Sequence, residues 1–116
     1  DAIAARNSKV ALKNLILMEK SGEDLFMIYH MIIRQFRILT AVKSLTESNF
    51  NDSFIMKSAK IGSFELKKAK GNIKNYSLDD LIAINDRLMD MEIRSKSEAF
   101  DMKDELMKLV AFVGIK

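Results

Sequence analysis

The chain has no cysteine, no proline and only four glycines among its 116 residues. Without cysteine there is no disulfide framework and no thiolate metal site, and the composition suits a reducing compartment. Without proline, and with so little glycine, little in the sequence breaks a helix. Histidine occurs once, at His30. A lone imidazole on an apolar helix reads as structural, and a zinc site here would need several converging carboxylates, which the pattern does not provide. The phosphate-cradling Gly-x-x-x-x-Gly-Lys-Ser/Thr loop is missing, as is a Gly-x-Ser-x-Gly nucleophile turn. No apolar run approaches the roughly 20 residues expected of a membrane span, and no signal peptide is visible. The sequence begins at Asp1 without a methionine, as a piece of a longer protein would.

What remains favours helix. Eight methionines accompany many leucines and lysines, and the net charge of +3 is too mild to mark a nucleic-acid binder. One domain of ordinary size is expected. Its fold class is all-α: a compact bundle of about six helices around a long central one.

The helices can be placed from caps and periodicity. Ser8 is the expected N-cap of a helix through Lys20, with Gly22 as its stop. A second helix covers Glu23–Thr46, followed by a polar break rich in asparagine. Two short helices are expected over Ser53–Lys60 and Phe64–Lys74, joined at Ile61-Gly62-Ser63. Ser77 begins a fifth helix running to Ser97, with Asp79 and Asp80 in its first turn, and a sixth covers Asp101–Val113. Phe54, Phe64 and Phe112 are read as core.

The second helix carries the widest apolar arc. Leu25, Ile28, Tyr29, Ile32, Phe36 and Leu39 share one face, and Met27, Met31, Ile38, Val42 and Leu45 broaden it. Only a narrow strip with His30, Arg34, Arg37 and Ser44 is polar. So wide an arc belongs to a central helix, or to one that partly faces another protein. Lys43, at its end, reaches carbonyls at a helix terminus or snorkels into water. On the fifth helix the expected apolar arc is Leu78, Leu81, Ile82, Leu88, Met89 and Ile93, with Asn85, Glu92 and Lys96 falling inside it. Glu92 and Lys96 are four apart and can pair, either as a wet surface pair or as one that orients the next helix or a partner.

Three stretches, "RQFRILTAVKSL", "NYSLDDLIAIN" and "RLMDMEIRSKS", occur in an order that resembles the C-terminal domain of the delta subunit of bacterial DNA polymerase III. Arg34, Gln35, Phe36, Arg37 and Lys43 match that family's first block. Tyr76, Ser77, Leu78, Asp79, Asp80 and Leu81 match its aromatic-Ser-Leu-acid-acid-Leu start, and Glu92, Lys96 and Ser97 its acid, lysine and small residue. The opening "DAIAARNSKVALKNL" is similar to the family's entry into this domain.

The resemblance implies a collar domain over residues 1–116, with the AAA+ and lid domains of the parent subunit outside this chain. It implies a non-catalytic assembly role in the cytoplasmic clamp loader, which opens the sliding clamp and loads it on primed DNA during replication. The implied partners are the gamma/tau and delta-prime subunits. Arg34, Arg37, Glu92 and Lys96 are the candidate interface residues. No catalytic, metal or cofactor site is expected. The alternative is a helix-turn-helix-like nucleic-acid-binding module built on the basic helix 63–74, where Lys67, Lys68, Lys70 and Lys74 are candidates for weak phosphate contact. That helix has no arginine to read guanine edges.

Overall fold

The structure is a computed structural model and describes residues 2–115. Among these, six helices and one helical turn follow in chain order: α1 Ser8–Lys20, α2 Leu25–Glu47, α3 Asp52–Ala59, α4 Ser63–Asn72, a single 3-10 turn Ile73–Asn75, α5 Leu78–Arg94 and α6 Met102–Gly114. The all-α expectation holds.

Short polar side chains fix most of the helix starts. The cap of α1 is Asn7, one residue earlier than expected; its Oδ1 accepts from the Val10 N–H at 3.2 Å. Asp24 caps α2 by accepting from Phe26 N–H at 2.9 Å, so this helix begins two residues later than Glu23. Ser77 and Asp80 form a reciprocal capping box on α5, at 3.0 and 2.9 Å. The stops use the left-handed region. Gly22 (φ 79°), Asn49 (φ 65°) and Lys60 (φ 58°) follow α1, α2 and α3. At the end of α1, Gly22 N–H returns to Glu19 O and Glu23 N–H to Met18 O, the bond pair that closes a helix around a left-handed glycine.

The central position of α2 is clear. It packs against α3, α4, α5 and α6, while α1 lies against α6. Tyr29, Ile32, Phe36, Ile38, Leu39 and Val42 of α2 are buried. Phe36 is fully enclosed, and the Tyr76 ring meets it edge-on at 5.8 Å. By length and composition α2 does qualify as apolar enough to cross a membrane, contrary to the expectation that no stretch came near. Its apolar residues instead form the centre of this bundle.

Three side-chain placements differ from expectation. Met27 and Met31 are exposed, because no helix covers that end of the arc. On α5 the buried line is Leu81, Ile84, Leu88 and Met91, so Ile82, Met89 and Ile93 lie outside. The helix seats its 3–4–3 spaced line on α2 and α6, and the neighbouring apolar residues turn away from it. Phe54 and Phe64 are exposed too; only Phe112 packs against the core. The short helices α3 and α4 each bury just two residues, Ile55 and Ala59 or Leu66 and Ala69, and leave the larger rings outside.

Phe36→Ala should destabilise the domain by about 3–5 kcal/mol, the range for truncating an enclosed aromatic. Chemical denaturation of the variant measures this, and a difference within curve error would contradict the central role of α2.

Candidate functional site

The sequence-expected interface residues do not converge on one spot. Arg34 donates from Nη1 to Glu65 Oε2 at 2.9 Å and so ties α2 to α4. That hydrogen bond is the main reason the Glu65 carboxyl sits below its ordinary range. Arg37, one turn on, is exposed beside a shallow groove between α2 and α5, which Ala41, Ser44, Ile82 and Asp86 also line. Lys43 runs along the surface to Glu47 at 3.3 Å.

Glu92 and Lys96 are both exposed and do not pair. The helix ends at Arg94, so Lys96 lies beyond the last turn and the four-residue spacing no longer brings the two together. Arg94 takes the bridging role instead. It donates to Asp90 Oδ2 at 2.8 Å and to Glu105 Oε1 at 2.7 Å, which locks the end of α5 to the start of α6. Asn85, the other polar residue in the expected arc, donates to Thr40 Oγ1 at 2.7 Å and to Leu81 O at 2.8 Å. It therefore cross-links α5 to α2 inside the bundle.

The lysines of α4 stand on its outer side. Lys67, Lys68, Lys70 and Lys74 are all exposed; Lys70 pairs with Asp52, and the Lys68 ammonium lies 5.6 Å from the Phe64 ring centre. No group of three or more metal-ligating side chains converges among the described residues. An apolar groove of about 530 Å³ separates α1 from α2, with Leu15, Met18, Met31 and Ile38 in its walls and the Arg34–Glu65 pair on its lining.

Sequence reasoning missed Arg6 altogether. Its side chain is buried at 8% exposure, in a backbone of φ 62°. The guanidinium donates to Val113 O at 2.7 Å, to Asn75 O at 2.8 Å, to Asp80 Oδ2 at 2.9 Å and to Ile115 O. It lies 4.8 Å from the Tyr76 ring centre. The Tyr76 hydroxyl donates to Ile3 O at 2.6 Å, and burial pushes that phenol well above its ordinary pKa. The start of the chain, the entry to α5 and the end of α6 thus meet on one cation.

This junction uses Tyr76, Ser77 and Asp80, and the long α2 uses Phe36, within the blocks that carry the family resemblance. The family model for the DNA polymerase III delta subunit, C-terminal domain, matches residues 1–111. The chain belongs to that family. Among solved structures, Bacillus subtilis DNA clamp loader delta protein (YqeN) superposes with a TM-score of 0.87 at 22% identity, over 99% of this chain and 34% of that one. The likeness shows a shared fold, and the chain spans about a third of the length of that protein. No curated protein matches the sequence. As a delta C-terminal domain, the chain builds the family's aromatic-Ser-Leu-acid-acid-Leu block into a helix cap, and Arg6 completes it.

Asp80 makes this junction pH-dependent. Its carboxyl is held below the ordinary range first by the Ser77 backbone N–H and next by Arg6. A lowered carboxyl pKa stabilises the fold above the ordinary value near 3.9, and the contribution is lost as pH falls through the folded-state value. Asp80→Asn should therefore cost about 1–2 kcal/mol at pH 7, where it removes a cap and an ionic hydrogen bond. The gap between variant and wild type should narrow below about pH 4. Paired denaturation curves at pH 7 and pH 3 test this, and a gap that widens in acid would contradict it.

Proposed function

We propose that this chain is the collar domain through which a delta subunit assembles into the bacterial clamp loader, the complex that opens the sliding clamp and loads it on primed DNA. The membership of residues 1–111 in the delta C-terminal family carries this reading. The domain supplies no chemistry of its own: it lacks a nucleotide-binding loop, and its charged side chains mostly serve caps and ion pairs between helices. It supplies surface to the gamma/tau and delta-prime subunits. The AAA+ and lid domains of the subunit precede it in the parent chain.

Within this reading Arg37 is the arginine of the outer strip available to a neighbour, since Arg34 is engaged by Glu65. Glu92 and Lys96 act as separate rim charges at the far end of α5, not as a pair. Charges at such a rim govern orientation and association rate more than raw affinity. Beside this role, Lys67, Lys68, Lys70 and Lys74 give weak, salt-sensitive contact to DNA phosphates. The exposure of all four supports that element, and binding of DNA fragments that persists undiminished at high salt would contradict it.

Reconstitution of the delta subunit with gamma/tau and delta-prime tests the assignment. Wild type should co-elute with both on size exclusion. Arg37→Glu should slow assembly several-fold at low salt, with an unchanged circular dichroism spectrum. Assembly of the variant at the wild-type rate would remove Arg37 from the interface. The purified chain should neither bind nor hydrolyse ATP, and turnover that survives a changed purification scheme would contradict the non-catalytic role.

A further inference from the structure

We propose that the outer face of α5 is the docking face for a neighbouring collar domain, and that the surface it receives is apolar and basic. This rests on the assembly role above and names which face is used and what chemistry meets it. Ile82, Met89 and Ile93 are 48%, 63% and 67% exposed. At about 100° per residue they fall within roughly 40° of one another, and at 1.5 Å per residue the stripe is about 16 Å long. The buried line Leu81, Ile84, Leu88 and Met91 occupies the other side of the helix, so the stripe serves no part of the core.

Acidic side chains border the stripe. Asp79, Asp86 and Asp90 follow one edge and Glu92 stands on the other. Asp90 is engaged by Arg94, whereas Asp79, Asp86 and Glu92 have no ion-pair partner among the described residues. An apolar centre with an acidic border calls for an occupant that is apolar in the middle and cationic around it.

This fold can present such a surface, and the chain's own α1 does so. Val10 and Leu17 are 42% and 53% exposed on its outer side. Lys9, Lys13 and Lys20 lie along one edge of that pair, also without ion-pair partners among the described residues. Helix α6 packs against both α1 and α5. One domain of this architecture therefore offers an acidic apolar face on α5 and a basic apolar face on α1. Placed side by side, two such domains bring unlike faces together, a heterologous contact that propagates around a ring when its rotation closes.

The test is reconstitution of the full delta subunit with purified gamma/tau and delta-prime, using two variants. Met89→Ser with Ile93→Ser should raise the Kd for assembly at least tenfold and leave the fold intact, because both side chains are mostly solvent-exposed. Asp86→Lys with Glu92→Lys should weaken assembly several-fold at low salt, with the difference fading at high salt. Assembly of the serine variant at wild-type affinity would overturn the proposal while leaving the collar role standing. Failure of wild type to assemble would remove the collar role itself. Self-association of the isolated chain that the serine variant abolishes would put a second copy on α5 and overturn the assignment of the occupant.

Discussion

One buried guanidinium organises this domain. A charge taken out of water costs several kcal/mol unless its donors are satisfied. Arg6 meets that demand with the carbonyls of Val113, Asn75 and Ile115 and with the Asp80 carboxylate. Each acceptor belongs to a segment whose position the core alone does not specify: the turn before α5, its first turn, or the end of α6. Arg6 directly precedes the cap of α1, so the same contacts fix how α1 enters the bundle. Gly114 reinforces this approach, because a Cβ there would sit 2.6 Å from Ser8 Oγ. The two flanks that carry opposite charge, α1 and α5, are thereby held to one frame. A domain whose task is to place surfaces needs such rigidity more than it needs a reactive group.

The helical frame was legible in the sequence because its signals are local. A cap acts over three residues and a helical face over eleven, so Ser77 with Asp80 and the α2 arc could both be found by spacing alone. The choice of buried face on α5 was not local. Leu81, Ile82, Leu88 and Met89 are equally apolar, and only the position of α2 and α6 decides that Leu81 and Leu88 go in while Ile82 and Met89 stay out. The same applies to Phe54 and Phe64, whose helices are too short and too peripheral to bury them. Arg6 was illegible for a related reason: its acceptors lie 69 to 109 residues away. The one available signal was a single arginine in the short apolar opening "DAIAAR". Glu92 and Lys96 were misjudged because the pairing rule assumes a helix that continues past Arg94.

These outcomes bear on function as well as fold. The apolar residues wrongly assigned to the core of α5 are the ones that now form its solvent-facing stripe. A membrane-length apolar helix, α2, is likewise accounted for by four helices packed around it. The family gives the domain its setting in the clamp loader, and the charge pattern on its flanks suggests how it sits there. Arg34, which the sequence offers as an interface residue, turns inward to Glu65 and helps hold α4 in place. Arg94, which it did not single out, joins α5 to α6 and so supports the stripe from its far end.

Substitution of Arg6 by lysine tests the account most directly. Lysine keeps the charge, but a single ammonium cannot reach the separated acceptors that the planar fork serves. Amide hydrogen exchange on wild type and Arg6→Lys should show protection lost together near Ile3, Asn75 to Ser77, and Val113 to Ile115, with the centre of α2 still protected and overall stability reduced by about 3–5 kcal/mol. Retention of wild-type protection and stability in the lysine variant would contradict the claim that this guanidinium holds the flanks in register.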